Sequence, residues 1–156
     1  MFMRYQELKV IVIIENNGWS LATRTSERRA DIDTKQLANS LGVDYLLLAG
    51  NNSIEYVKKL ADVKDQVQSD SKPVVIEVEL DSLGDWVMKN DQHPDGKYIN
   101  YHAGPAPDVS LNEYPVIKES QSDPIYMLEQ ILGQKILKGI SSDLFNSVLE
   151  EFRELH

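Results

Sequence analysis

The chain has 156 residues, 42% hydrophobic and 26% charged, which is ordinary for a soluble globular protein and enough for one domain with a real core. Its formal net charge of −9 argues against a nucleic-acid backbone or an anionic membrane as partner, because both need a basic surface. The absence of cysteine excludes disulfides, thiolate metal sites and thiol catalysis. No apolar run approaches the ~18 residues of a membrane span, and Met1 to Gln6 lacks the layout of a signal peptide, so the cytoplasm is the default compartment.

Met1 to Leu8 mixes apolar and polar residues and reads as a frayed helix end leading into the first strand. Val10 to Ile14 is an unbroken β-branched run, too short for a helix and too apolar for a one-sided strand. It predicts a strand buried on both faces in the middle of a parallel sheet. Polarity then changes abruptly to Glu15-Asn16-Asn17-Gly18. Trp19 to Arg29 has no clear period and reads as a loop carrying Arg24, Arg28 and Arg29. Asp33 to Gln36 opens a short helix with Leu37, Ala38 and Leu41 on its apolar face, and Gly42 stops it.

Val43 to Leu48 is a second buried strand, followed by Gly50-Asn51-Asn52. Asn52, with Glu55 three residues on, opens a helix whose stripe is Ile54, Val57, Leu60, Ala61, Lys64 and Val67, broken at Ser69 to Pro73. Val74 to Val78 is a third strand. Strands alternating with helices through short connections imply right-handed crossovers, hence an α/β fold: three αβα layers around a parallel sheet.

Asp81 to Pro115 contains three Gly, four Pro and two His without periodicity, a length at which structureless loops are uncommon unless functional. Asp123-Pro124 is a helix start, with Ile125, Leu128, Ile131, Leu132 and Ile136 as the apolar face. Gly139 is read as the end of that element, and Ser141 or Ser142 as the cap of a last helix with Leu144, Phe145, Val148, Leu149 and Phe152 inward. Residues 1–80, 81–122 and 123–156 are thus a βαβαβ portion, a loop region and a C-terminal helical pair.

In open α/β sheets ligands sit in the crevice beyond the strand C-termini, which is where Asn16-Asn17-Gly18 falls. Amide side-chain oxygens there suit a hard cation, and Gly18 permits close backbone approach; the same residues also suit an ordinary turn. The arginines next to this crevice fit either an anion or pairing with nearby carboxylates.

A β-branched strand ending in Glu15-Asn16-Asn17-Gly18-Trp19 resembles the second half of the thiamine diphosphate motif. The likeness is to the alpha subunit of 2-oxo acid dehydrogenases and, more loosely, to transketolase and deoxyxylulose-phosphate synthase. Other parts arrive in that family's order. Gly50-Asn51-Asn52 resembles a Gly-Asn-Asp turn, Lys72 to Glu77 resembles a Gly-Pro-hydrophobic-Glu strand, and His102 to Ser110 resembles the histidine loop that closes over the cofactor. Ser122 to Ile125 and the helix after it are again similar. The resemblance implies thiamine diphosphate and Mg²⁺ as cofactors. Asn16, Asn17, Gly18, Trp19 and His102 would bind the cofactor, and the Asn17 side chain and the Trp19 main-chain carbonyl would ligate the metal. His102 would be the catalytic candidate near the diphosphate or the donor substrate. His93 and His156 read as surface residues.

The family's Gly-Asp-Gly, whose aspartate is a cation ligand, has no counterpart between Met1 and Lys9. Gly84-Asp85 lies on the wrong side and is followed by Trp86. Asp81 to Tyr98 reads as an insertion, and the doubled basic histidine motif of the dehydrogenases is absent. The resemblance therefore implies a complementary chain or N-terminal half carrying Gly-Asp-Gly, in a homo- or hetero-oligomer. Without those strands, Val10 to Ile14 is expected at an open sheet edge. A fragment, a split-gene subunit and a degenerate remnant all fit, as do a 2-oxo acid enzyme, a ketol transferase and a non-catalytic α/β interaction module.

Overall fold

A computed structural model describes residues 8–20, 23–81, 85–100, 109–111, 114–117 and 119–154, with the backbone alone at 85–86 and 98–100. The readings made for Met1 to Glu7 and for His102 lie outside the described residues. The chain divides into two compact units, Met1–Pro107 and Asp108–His156.

In the first unit the order is β1 (Ile11–Asn16), a short hairpin of β2 (Trp19–Ser20) and β3 (Thr23–Arg24), a 3-10 turn (Thr25–Glu27), α1 (Thr34–Ser40), β4 (Asp44–Leu48), α2 (Ser53–Asp70), β5 (Val74–Glu79), and the pair β6 (Asp85–Asn90) and β7 (His93–Asn100). β1, β5 and β4 form a parallel sheet in that order, with Ile11 opposite Val74 and Asp44 also opposite Val74. The fold class is α/β. The helix starts are those the capping residues dictate. The Asp33 carboxylate accepts from Gln36 N–H at 2.8 Å, and the Asn52 side-chain oxygen accepts from Glu55 N–H at 3.2 Å. Each such cap stabilises its helix by about 1 kcal/mol.

One face of the sheet carries the core. Val63 and Val67 of α2 pack on Leu48, Val74 and Ile76, with Leu46, Tyr56 and Val78 around them. Strand alternation sends Glu77 and Tyr45 to the other face, where α1 begins at Thr34. The parallel crossovers thus leave a helix on each side of the sheet.

Several expectations are corrected here. The central slot belongs to β5, paired on both sides, whereas β1 has β5 as its one strand partner among the described residues. Ile13 is accordingly 57% exposed and Ile11 and Ile14 36% each, so β1 is not buried on both faces and, among the described residues, lies at the sheet edge, as expected for a sheet without the Gly-Asp-Gly strands. The inward stripe of α2 is Tyr56, Val63 and Val67, about a quarter-turn from the expected one at 100° per residue. Val57 is 67% exposed. The helix carries apolar residues on about half its circumference, and the sheet takes only part of that arc.

Asp81 to Pro115 is not an aperiodic loop throughout: β6 and β7 pair antiparallel within it. Pro94, Asp95 and Gly96 are poor strand formers and a register shift separates Met88 from Asn90, so no alternation is visible in the sequence. The Asn90 side chain closes the turn by accepting from the N–H groups of Gln92 and His93.

The second unit holds α3 (Pro124–Leu132) and α4 (Gln134–Glu154). Buried Asp123 opens α3, accepting from Ile125 N–H at 2.8 Å with one oxygen and from Ile117 N–H at 2.6 Å with the other. Tyr114, Val116 and Leu137 form a small core against Ile125, Tyr126 and Leu128. The break between the helices falls at Gly133, φ 80°, and not at Gly139, which sits inside α4. On the expected inward face of α4, Leu144, Phe145, Val148 and Phe152 are all at least half exposed. No described helix is long and apolar enough to cross a membrane.

Candidate functional site

Parallel strands bring their C-terminal ends to one rim, so Asn16, Gly50 and Leu80 emerge side by side. On the face opposite the α2 core, this rim opens into a cleft of about 330 Å³ lined by Ile14 to Asn17, Trp19, Thr25, Arg29, Ile32, Thr34, Leu37 and Glu77. That volume lies at the small end of the range for ligand pockets.

The floor of the cleft is polar and ordered by Glu77. Its carboxylate, 9% exposed, accepts from Asn16 Nδ2 at 2.8 Å and from the Tyr45 hydroxyl at 2.7 Å. The Thr34 hydroxyl also donates to it. Burial works to raise the Glu77 pKa and is the largest single influence, but the donors Tyr45, Asn16 and Thr34 together outweigh it and hold the group below the ordinary 4.5. Tyr45 is pushed up to about 12, by burial first and then by its hydrogen bond to Glu77 and the charge there.

Above Glu77 the chain turns. The Asn16 side-chain oxygen accepts from Gly18 N–H at 3.2 Å, and the Asn17 side-chain oxygen accepts from Trp19 N–H at 2.9 Å. Gly18 takes φ 69°, in the left-handed region where glycine meets no side-chain penalty. Its carbonyl accepts from Thr25 N–H at 2.9 Å, which closes the β2–β3 hairpin over the turn. The supposed loop of Trp19 to Arg29 is thus partly structured. Arg24 stacks on the Trp19 ring at 4.9 Å, and Arg29 faces the cleft, whereas Glu27 reaches Lys97 of β7 at 3.3 Å. The Lys97 hydrogen bond holds the Glu27 pKa below its ordinary value.

Among the residues expected at the site, Asn16, Asn17 and Trp19 line one cleft and Gly18 makes its turn. Beside it on the same rim, Asn51 Nδ2 donates to Asp81 at 3.0 Å and the Asn52 side chain is spent capping α2. The cation donors proposed from the sequence are neutral oxygens, one an amide already accepting a backbone N–H. No cluster of three or more His, Cys, Asp or Glu suited to a metal occurs among the described residues. Such a donor set fits a hard cation in type and is incomplete in number, since Mg²⁺ takes six oxygens.

The sequence reading missed Tyr45 and Thr34 as site residues and took Glu77 only as a strand residue. The signal was there: one ionisable residue at an inward position of the apolar run Val74 to Val78, which a strand tolerates only when donors meet it. Comparison of the chain with protein-family models, curated proteins and solved structures gave no match.

Proposed function

We propose that the chain is part of a thiamine diphosphate- and Mg²⁺-dependent enzyme acting on a 2-oxo acid, similar to a dehydrogenase or decarboxylase alpha subunit. Ketol transfer of the transketolase kind is the alternative chemistry. The observation that carries this reading is the Asn16–Trp19 turn at the C-terminal rim of a parallel sheet, lining a cleft large enough for a diphosphate. Asn17 would offer the cation the free lone pair of its side-chain oxygen, and Trp19 its main-chain carbonyl. A cation held by these neutral oxygens would share its remaining positions with phosphate oxygens and water. When bound, the cofactor supplies a carbon nucleophile for the substrate carbonyl. This chain's residues bind and orient: the Asn turn fixes the metal side of the diphosphate, Ile14, Ile32 and Leu37 give an apolar wall, and Arg29 offers a positive charge to an anionic group.

The complementary part carrying Gly-Asp-Gly would bring the missing carboxylate ligand. The edge of β1, which has one strand neighbour among the described residues, supports that arrangement, because a β-branched parallel strand of that kind is suited to accept a second. His102 is proposed to close over the diphosphate.

Calorimetry with thiamine diphosphate and Mg²⁺ tests the reading on the full chain. Weak Mg²⁺-dependent binding is expected. Asn17→Ala abolishes it and Asn17→Asp tightens it, because ligand charge sets cation affinity. An absence of heat at millimolar cofactor, or binding that ignores both substitutions, overturns it.

A further inference from the structure

Glu77 is an unusual tenant for the middle strand of a sheet. It is a buried carboxylate whose donors Tyr45, Asn16 and Thr34 are all neutral. Burying an anion without a cation is costly and persists only where hydrogen bonds satisfy it. The carboxylate accepts and cannot donate, so it dictates which end of the Asn16 amide faces it. Nδ2 points down to Glu77 and Oδ1 must point up, where it meets Gly18 N–H at 3.2 Å. A neutral acid or amide at 77 would accept either end of Asn16 and remove that constraint.

We propose that Glu77 is a positioning residue: by fixing the orientation of the Asn16 amide, it holds the Asn16–Trp19 turn in the form that presents oxygen donors to the cleft. Tyr45 and Thr34 hold Glu77 in turn, so the turn at the end of β1 is set from β4, β5 and the start of α1. The same turn has Gly18 at φ 69° and Trp19 N–H donating to the Asn17 side-chain oxygen. The ligand consequence rests on the cofactor reading above, while the consequence for the turn does not.

The test is amide hydrogen exchange by NMR on the full chain, comparing Glu77→Gln and Tyr45→Phe with the wild type. Glu77→Gln is expected to raise exchange at Gly18 about tenfold, the scale of one charge-assisted hydrogen bond, while Val63 and Val67 in the α2 core keep their protection. Tyr45→Phe, which leaves the Asn16 contact in place, is expected to raise it less. Should Glu77→Gln not fold, the wild type decides: the Asn16 side-chain amide signals must titrate with the Glu77 carboxyl. Unchanged Gly18 exchange with an intact core, equal acceleration at Gly18 and in the core, or Asn16 signals indifferent to Glu77 titration would each overturn the assignment. Calorimetry on the same variants separates the two ideas. If wild type gives no cofactor heat while Gly18 responds to Glu77→Gln, the cofactor reading fails and the positioning role stands.

Discussion

The apolar runs that carry β1 and β5 read almost alike, Val10-Ile-Val-Ile-Ile14 against Val74-Val-Ile-Glu-Val78, yet they end in opposite environments. β5 is paired on both sides and Ile76 has no exposed surface, while Ile13, its partner across the ladder, is 57% exposed. The apolar character of a strand states what it is suited to bury; the number of its neighbours decides what it does bury. The strand with unmet burial is also the one that ends in the candidate cation site, so the edge left without a second strand among the described residues and the short donor set lie on one element.

The largest effect expected is at Ile76. Ile76→Ala should cost about 2–5 kcal/mol in urea unfolding, from lost transfer energy plus a cavity, and Ile13→Ala well under about 1 kcal/mol, as for a surface site. Equal costs would break the comparison, because they would mean that β1 is covered in the folded chain.

This contrast also marks what was legible in the sequence. The strands at 44–48 and 74–79, the starts of α1, α2 and α3, and the Asn-rich rim were readable because each rests on local signals: β-branched runs, capping side chains, Pro at a first helical position. The exposure of β1 could not be read from its own apolar run, nor the phase of α2 from its stripe, because both depend on neighbours far along the chain; the local β6–β7 pair was hidden instead by Pro94, Asp95, Gly96 and the register shift. Gly133 and Gly139 carry the same lesson, since both are glycines between apolar stretches and only the first adopts positive φ. Among site residues the Asn turn was visible as a motif, but the Glu77–Tyr45–Thr34 support was not, because those residues lie on three different elements.

Glu77 sharpens the comparison chemically, since Glu15 stands on β1 opposite Val78, exposed, where Glu77 stands on β5 buried. Glu77→Ala strands the Asn16 amide and the Tyr45 hydroxyl and should cost about 1–3 kcal/mol; Glu15→Ala should fall within about 0.5 kcal/mol. The Glu77 pKa is lowered by folding, so its contribution is complete above the ordinary 4.5 and is lost as pH falls through the folded value. Tyr45 has the opposite sign. Its pKa is raised from 10.0 to about 12, so its contribution is complete below 10 and is lost as pH rises through about 12. Denaturant melts of Tyr45→Phe from pH 10 to about 12 should lose the alkaline decline that wild type shows.

The β6–β7 pair extends the contrast to strands with a single partner each among the described residues. Gly96 has φ 96°, and a Cβ there would collide with Val87 Cγ1 across the ladder. Gly96→Ala should therefore cost about 1 kcal/mol or somewhat more, read as faster exchange in β6 and β7. The β1–β5–β4 sheet should keep its protection, because the hairpin forms a separate sheet. Loss of protection in both sheets together would mean that the hairpin and the central sheet fold as one unit.

The smallest effect expected is at Arg24, whose guanidinium lies 4.9 Å from the Trp19 ring centroid on the exposed side of the β2–β3 hairpin. Exposed cation–π pairs contribute about 0.5–1 kcal/mol, so Arg24→Ala should shift the urea midpoint slightly and change Trp19 fluorescence more. Arg24→Lys keeps the charge but loses the planar stack, so it should restore less of the fluorescence than of the stability. The turn beneath is held by Thr25 on the Gly18 carbonyl and by Glu77 through Asn16, neither of which involves Arg24. Gly18 exchange should therefore stay at its wild-type rate in Arg24→Ala. A Gly18 amide that loosens with Arg24 as much as with Glu77 would move control of the turn from the buried strand to the surface hairpin.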